Sequence, residues 1–297
     1  MIDDTGVTML RSRWQSYLTS AAQGPTGKSG VCYLPELALL RFTGRDAMTF
    51  LQGYLTSDAF ALREDRLSPT ALCNLKGRVV ANGWCSKHDN DVDLIVHQSL
   101  TGPLIGFLKN YLVFSKTKLQ DCSASHLIFG SIDAGTVSGL HFGDGQTLHL
   151  VEEFAAAREL YEATIPLAHS QWASRLIVDE MALVSLPVSE RFLPQMLALE
   201  RAGAVDFDKG CYLGQEVVAR AQHRGRVKRE LATLTWKGEP PAAGTEFHTA
   251  DGLTSGVVIQ ADGIAAAGGR CLGVVTSVRR GQQSASAQSE TSFQLVQ

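Results

Sequence analysis

The sequence lacks an apolar run that could cross a membrane. Its longest stretch without Asp, Glu, Lys or Arg covers residues 94–108 and contains His97 and Pro103, whereas a spanning helix needs about 18 to 20 apolar residues. The chain also starts with Asp3 and Asp4, where a secretory leader carries basic residues. These two absences predict a cytoplasmic protein without a membrane partner.

Motifs for several common chemistries are missing as well. The sequence has no G-x-G-x-x-G dinucleotide loop, no H-E-x-x-H zinc pair and no G-x-S-x-G nucleophile turn. Gly27-Lys28-Ser29 matches the end of a phosphate-binding P-loop, but Ala22 stands where the first glycine is required and Pro35 interrupts the following helix. Rossmann, P-loop, zinc-peptidase and acyl-transfer chemistries are therefore unsupported.

The cysteines lack the spacing of a disulfide framework. Six of them are spread along the chain without close pairs, whereas disulfide-rich proteins and zinc sites carry cysteines at short regular intervals. This predicts free thiols in a reducing compartment and no metal site. An iron-sulfur cluster held by this chain alone is also disfavoured, because four closely spaced thiolates are absent.

The overall composition is that of an ordinary globular protein with one unusual segment. The 297 residues are 44% hydrophobic and 19% charged, a length typical of about two domains. The net charge of −3 conceals residues 209–229, where six basic residues accompany one acid. Such a segment favours an anionic ligand, or else forms a solvated basic face. Because no aromatic residue lies between Arg220 and Arg229, direct nucleic-acid binding there is disfavoured.

The order of apolar patterns predicts an α+β fold. We expect a polar N-terminal segment over 1–30, two mixed α/β subdomains over 31–229 with a break near 131–147, and a small all-β unit over 230–297. The expected strands are 31–42, 72–85, 92–96, 148–151, 231–236, 257–259 and 271–278, and the expected helices are 46–52, 103–113, 152–164, 170–185 and 214–222. The polar stretch 282–297 is expected to be frayed.

The most informative segment is residues 206–220, with the sequence Asp-Phe-Asp-Lys-Gly-Cys-Tyr-Leu-Gly-Gln-Glu-Val-Val-Ala-Arg. Two glycines bracket Cys211 and Tyr212 before a helical pattern, which predicts that Cys211 lies at a helix N-terminus beside Lys209. Both features would stabilise a thiolate. The same N–H groups, with Lys209 and the Tyr212 ring, would also suit a flat anionic ligand. The alternative is a glycine-rich turn with a buried, inert cysteine.

Residues Lys209-Gly210-Cys211-Tyr212-Leu213-Gly214-Gln215-Glu216 resemble the K-G-C-[FYW]-x-G-Q-E motif of the YgfZ family of folate-binding proteins. Other segments match the family in the same order along nearly the whole chain. They are residues 42–46 with 50–53, then 73–78, 111–116 and 192–195.

The resemblance implies a relative of the glycine-cleavage aminomethyltransferases, with two α+β subdomains and a C-terminal β-barrel around a central cavity that binds tetrahydrofolate. Family members are bacterial cytoplasmic factors that help maintain iron-sulfur enzymes, including ones that modify tRNA, without a defined catalytic turnover. The resemblance therefore implies tetrahydrofolate or a derivative as cofactor, and iron-sulfur client or assembly proteins as partners.

Carried onto this sequence, the resemblance makes Cys211 the functional thiol, Trp172 a wall of the folate site and Glu36 its acidic contact near the first strand. The other implied folate contacts belong to the motif and the helix after it: Lys209, Gly210, Tyr212, Gly214, Gln215, Glu216 and Arg220. Relatives often carry Glu-Ala-Gly after the tryptophan, whereas this chain has Val178-Asp179-Glu180, which shifts the acid.

Two alternatives stay open. A folate-dependent aminomethyl- or methyltransferase would need a carboxylate near the folate nitrogen that carries the one-carbon unit, and Asp179 or Glu180 are the candidates. Trp172 could instead anchor the core of an amphipathic helix together with Leu176 and Leu183.

Overall fold

The computed structural model describes residues 4–20, 27–134, 139–224, 227–249, 253–263, 268–276, 284–286 and 291–296. The chain forms two compact units, each assembled from separated stretches. The first consists of Met1–Phe50, Ala61–Ser68 and Trp84–Trp172, and the second of Leu51–Phe60, Pro69–Gly83 and Ala173–Gln297.

The first unit begins with a helix where the sequence suggested only a polar segment. Helix α1 (Asp4–Ser20) buries Trp14 completely, and the indole packs edge-on against Phe129 with 5.1 Å between ring centroids. Leu10, Tyr17 and Leu18 pack against the same core. These residues share one helical face with Trp14. Because the rest of the segment is polar, its composition did not reveal this narrow apolar stripe.

A four-stranded antiparallel sheet belongs to the first unit. In spatial order its strands are β1 (Gly30–Tyr33), β7 (Leu127–Ile132), β9 (Gln146–Val151) and β8 (Leu140–Phe142). Helix α4 (Phe154–Glu162) follows β9, within the range 152–164 in which a helix was expected.

A five-stranded sheet has the spatial order β3 (Ser68–Cys73), β4 (Val79–His88), β5 (Asp91–His97), β2 (Leu37–Thr43) and β6 (Lys118–Asp121). The single strand expected over 31–42 is wrong, because β1 and β2 belong to different sheets. Pro35 lies between them and cannot donate a ladder hydrogen bond, and the Leu37 N–H donates to the Leu34 carbonyl to close a turn.

The single strand expected over 72–85 is also two strands, β3 and β4, joined by a tight turn. The Asn74 side-chain oxygen accepts the backbone N–H groups of Lys76 and Arg78, at 2.9 and 3.1 Å. Gly77 adopts a φ of +67°, which glycine reaches without steric cost. The turn chemistry of Asn and Gly therefore overrides the apolar run.

The remaining helices are α2 (Ala47–Gln52), α3 (Thr101–Leu112), α5 (His169–Val178) and α6 (Gln215–Arg224). Helix α5 ends well before residue 185, where we expected its end. Glu180 takes a φ of +53°, and the Met181 N–H donates back to the Leu176 carbonyl at 2.8 Å, which ends the helix. The N–H of Leu183 donates to the Gln260 side chain, and that of Val184 to the Asn82 side chain, both at 2.8 Å.

No described helix combines the length and the apolar character that a membrane crossing requires.

The second unit contains a closed barrel of six strands, which confirms the expected C-terminal β unit and the α+β class. In spatial order they are β10 (Arg229–Lys237), β13 (Gly269–Thr276), β12 (Thr254–Ala261), β11 (Glu246–Thr249), β14 (Ser284–Ser286) and β15 (Ser292–Leu295). Trp236, Phe247 and Phe293 fill its interior. Strand β15 closes the barrel against β10, and β14 pairs with β11 and β15, so these two strands are not the frayed chain that we expected over 282–297; most of the rest of that stretch lies outside the described residues.

Candidate functional site

The segment 206–214, which we call the motif loop, is fixed at its start by Asp206. The Asp206 N–H donates to the carbonyl of Thr56 at 2.9 Å. Its carboxylate oxygen Oδ1 accepts the backbone N–H groups of Asp208 and Lys209, at 2.8 and 3.1 Å. This aspartate turn is a local preference of Asp side chains, and it sets the direction in which Lys209 leaves the backbone.

The ammonium of Lys209 points into the second unit. It donates to the carbonyl oxygens of Gln52, Leu55 and Ser57, at 2.8, 2.7 and 2.8 Å, and the residue is only 9% exposed. Helix α2 ends at Gln52, where backbone carbonyls lack helical partners and attract a cation. Burial lowers the pKa of Lys209 to about 8.

These contacts assign Lys209 a positioning role. An ammonium group has three N–H donors, and three carbonyl oxygens accept them. Lys209 was expected to bind an anionic ligand and to stabilise a thiolate at Cys211, but its donors instead tie the motif loop to residues 52–57.

Tyr212 anchors the motif loop on the other side of Cys211. Its ring is buried and lies 5.3 Å from the Lys209 Nζ, a cation–π distance. The hydroxyl is buried without a hydrogen-bond partner among the described residues, and burial raises the pKa of Tyr212. The backbone N–H of Tyr212 donates to the Gln215 side chain at 3.3 Å, which ties the anchor to the start of α6.

Gly214 is required where the loop turns into α6. Its φ is +83°, and a Cβ there would collide with the carbonyl oxygen of Asn74. The preceding N–H, of Leu213, donates to the Gly53 carbonyl at 2.9 Å. The motif loop is therefore held at its start by the Thr56 carbonyl and at its end by the Gly53 carbonyl.

Cys211 lies between these anchors and is exposed, while the other five cysteines are buried. The neighbouring Gly210 has open space around it. Burial raises the pKa of each buried thiol, for example that of Cys73 to about 12, which makes those thiols unreactive near neutral pH. The helix α6 starts only at Gln215, so Cys211 precedes the helix instead of capping it.

Glu216 of the motif and Arg220 of the helix after it, which we expected to bind folate, face solvent. Glu216 and Arg220 form an exposed ion pair one turn apart on α6, at 3.0 Å. Exposed pairs of this kind contribute at most about 0.5 kcal/mol to stability. Both side chains are therefore available to a ligand.

Glu36 lies in the first unit, in the turn between β1 and β2. Its Oε1 atom is 2.8 Å from the His169 Nε2 atom, and this hydrogen bond raises the pKa of His169. Its second oxygen, Oε2, is buried without a hydrogen-bond partner among the described residues. A buried carboxylate oxygen that accepts no hydrogen bond is costly, so this atom suits a ligand donor.

Trp172 also belongs to the first unit, on α5, and is 1% exposed. Its ring covers Gly130, where a Cβ would clash with the indole, and it packs edge-on to Phe142 with 5.9 Å between centroids. This packing is what the core-anchor alternative expects for Trp172, and Leu176 on the same helix is also buried, while Leu183 lies beyond the end of α5. Stacking of a pterin on Trp172 stays a prediction.

The two carboxylates of the transferase alternative are each paired with arginine. Asp179 accepts from Arg175 at 2.7 Å, and Glu180 from Arg201 at 3.1 Å. The described residues also contain no group of three His, Cys, Asp or Glu side chains that could hold a metal ion.

Sequence reasoning did not identify the partners of the motif loop. The acceptors of Lys209 are backbone carbonyls, which have no side-chain signature. Asn74 was noted only as part of a matching segment, yet its side chain shapes the turn against which Gly214 packs and also donates to Glu190 at 2.7 Å. The available signal was that residues 50–53 and 73–78 match the same family as the motif.

Comparison with known proteins points to one family. No family model matches the chain. A protein of Yersinia pestis named tRNA-modifying protein YgfZ is 30% identical over 260 residues, which cover 77% of this chain and 79% of that protein. A protein of the same name from Pectobacterium carotovorum is 30% identical over 263 residues, covering 79% and 78%.

The fold also has a solved counterpart. Glycine cleavage system aminomethyltransferase T from Bartonella henselae superposes with a TM-score of 0.69 over 95% of this chain and 87% of that one, at 15% identity. This likeness confirms the aminomethyltransferase-like fold.

Proposed function

This chain belongs to the YgfZ family, and on that premise we propose that it is a tetrahydrofolate-binding accessory factor for the assembly or repair of iron-sulfur enzymes. Relatives carry the name tRNA-modifying protein, so the clients include enzymes that modify tRNA. Cys211 is the functional thiol of this proposal.

The observation that carries the proposal is the presentation of Cys211. Lys209 and Tyr212 fix the backbone on both sides of the thiol, and the thiol itself is exposed. An inert cysteine would not require a loop in which five residues are held in place. These residues are Asp206, Lys209, Tyr212, Leu213 and Gly214. An exposed thiol in a rigid loop can reach a partner protein and act on a persulfide, a cluster or a one-carbon adduct.

Folate supplies a reduced pterin that carries one-carbon units. On this chain, the unpaired Oε2 of Glu36 offers an acceptor for pterin N–H donors, and His169 orients the carboxylate through Oε1. Lys209 supports the motif loop instead of contacting the ligand. Gly210 and Arg220 are exposed, and their role as folate contacts rests on the family resemblance alone.

Calorimetric titration with tetrahydrofolate tests the ligand. Wild type should bind saturably, and Glu36→Gln should weaken binding at least about tenfold, because a hydrogen bond to a charged acceptor is lost. Glu152→Gln is the matched control, since Glu152 also pairs with a histidine, His126, at 2.8 Å in the same unit. Equal tetrahydrofolate affinities for the two variants would show that Glu36 does not contact the ligand. Absence of binding by wild type would refute tetrahydrofolate as the ligand.

Complementation tests the thiol. Cells that lack the protein should regain iron-sulfur enzyme activity with wild type but not with Cys211→Ser. Because Cys211 is exposed, this variant should keep both its fold and its tetrahydrofolate affinity. Full rescue by Cys211→Ser would end the thiol proposal while leaving folate binding intact.

The transferase alternative predicts a different result. A purified enzyme would release ammonia or formaldehyde from an aminomethyl donor over many turnovers, only with tetrahydrofolate present. In the structure each of the two candidate carboxylates, Asp179 and Glu180, forms an ion pair with an arginine. Steady turnover that is lost in Asp179→Asn or Glu180→Gln would replace the accessory-factor proposal.

A further inference from the structure

An exposed apolar tip follows helix α3 in the first unit. Val113 is 76% and Phe114 is 91% exposed, although these side chains are ordinarily buried. The backbone around them is ordered by two turn hydrogen bonds, from the Phe114 N–H to the Tyr111 carbonyl and from the Ser115 N–H to the Leu112 carbonyl, at 3.3 and 3.0 Å. The phenyl ring is therefore presented on a fixed turn.

Several cationic residues lie close to this tip along the chain or through a hydrogen bond. Lys109 lies one helical turn before Val113, Lys116 follows Phe114 by two residues, and Lys118 opens strand β6. Arg45 is brought close because the Lys116 N–H donates to the side chain of its neighbour Asp46 at 2.9 Å. All four cationic side chains are exposed. We call Val113, Phe114 and these four residues the tip cluster.

The charge of the tip cluster is largely uncompensated. Arg45 lies 3.7 Å from the Asp46 carboxylate, while none of the three lysines pairs with an acid in the part of the chain that the structure describes. Four cations against one carboxylate make a local positive field on a chain whose net charge is −3. Such a field attracts a polyanion.

From this arrangement we propose that the tip cluster binds single-stranded or looped RNA, with the Phe114 ring stacked on an unpaired base and the lysines on flanking phosphates. Aromatic stacking with basic flanks is the common design of proteins that bind single strands. The basic segment 209–229 lacked this combination, because it has no aromatic residue between Arg220 and Arg229. The tip cluster has both parts.

Other macromolecules fit the tip cluster less well. One phenylalanine and one valine bury too little apolar surface for stable membrane anchoring, since even a single acyl chain binds only marginally. Protein interfaces are depleted of lysine, whereas three of the four cations here are lysines. The proposal goes beyond the proposed function, because it uses neither Glu36 nor Cys211.

Fluorescence anisotropy with a labelled oligouridine of about twelve nucleotides tests the proposal on the full chain. Wild type should bind saturably, with a log–log salt slope near −2 for about three phosphate contacts. Phe114→Ala should weaken binding by about five- to a hundredfold, and Phe114→Trp should retain it. Lys118→Gln should reduce the slope by about 0.7.

The control is Phe60→Ala, because Phe60 is an exposed phenylalanine (61%) outside the tip cluster. It should leave binding unchanged, and Phe114→Ala should keep the tetrahydrofolate affinity of wild type. Absence of oligouridine binding at about 50 mM salt, or equal affinities for wild type and Phe114→Ala, would overturn the proposal. Binding to anionic vesicles but not to oligouridine would overturn it in favour of a lipid surface.

Discussion

Lys209 and Leu55 are 154 positions apart in the sequence, yet the ammonium of the lysine donates a 2.7 Å hydrogen bond to the backbone carbonyl of the leucine. The same ammonium also bonds to Gln52 and Ser57. A lysine next to a reactive cysteine usually suggests electrostatic activation. Here the ammonium of Lys209 instead holds the backbone of the motif loop in place through these hydrogen bonds, and Cys211 lies in that loop.

Replacing Lys209 should therefore destabilise the protein. Lys209→Met keeps most of the aliphatic stem but leaves three carbonyl oxygens without a donor, and we expect a loss of about 2 to 3 kcal/mol in the free energy of unfolding. The exposed Lys237→Met should stay within about 0.5 kcal/mol of wild type. Urea denaturation of both variants measures this, and equal midpoints would show that the Lys209 contacts contribute nothing.

The two motif glycines should respond differently to alanine. Gly214→Ala introduces a Cβ at a φ of +83° against a backbone carbonyl, and we expect a loss of at least about 2 kcal/mol. Gly210→Ala meets open space and should change stability by less than about 0.5 kcal/mol. Thermal unfolding of both variants separates the effect of backbone strain from the effect of replacing a motif glycine as such. A Gly214→Ala variant as stable as wild type would contradict the strain expected at this position.

Two histidine–glutamate pairs should give pH effects of opposite sign. The hydrogen bond to Glu36 raises the pKa of His169, so its stabilising effect is present below about pH 6.5 and is lost as pH rises through the folded pKa. Burial lowers the pKa of His126, so folding opposes its protonation, and stability is lost as pH falls below about 6.5.

The free energy of unfolding, measured between about pH 5 and 8, should show these two opposite dependences on pH. His169→Gln should remove a small stabilisation at the acidic end, small because the histidine side chain is half-exposed. His126→Gln should remove a destabilisation there. Slopes that change in the same direction in both variants would mean that the pairs do not control these titrations.

Alkylation should single out one thiol. Iodoacetamide should add one label per native chain, at Cys211, and up to six labels in urea, because the other cysteines are buried. Cys211→Ser should take none under native conditions. Intact-mass spectrometry counts the labels, and rapid native labelling of the Cys211→Ser protein would show that a buried thiol is accessible.

Local patterns predicted much of the fold. Strand β5 and helices α2, α3 and α6 lie where their periodicity placed them, because each has an apolar face of regular spacing. The errors arose where a turn interrupts an apolar run, as at Pro35 and Asn74, or where tertiary contacts end a helix, as after Val178. The two turns form through contacts between near neighbours in the sequence, whereas the end of α5 depends on Gln260 and Asn82, which are distant in the sequence.

The candidate site was predicted through its motif and not through its partners. The resemblance identified Cys211 and Lys209, but it suggested that Lys209 faces a ligand. Its actual acceptors are main-chain oxygens, which every residue type carries, so no residue pattern could reveal them. Phe114 and Lys116 were noted only within the matching segment 111–116, and Lys109 and Lys118 were not singled out, because the exposure of a phenylalanine is not visible in sequence.

The second unit is assembled from three separate stretches of chain, and the motif loop lies in one while its anchoring carbonyls lie in another. Neither unit therefore corresponds to a contiguous stretch of gene. Recombination with a single breakpoint between residues 57 and 209 would take Lys209 and the backbone that it holds from different parents. A truncation that removes Leu51–Phe60, although it lies about 150 residues from Cys211 in the sequence, would therefore remove the carbonyl oxygens that anchor the motif loop.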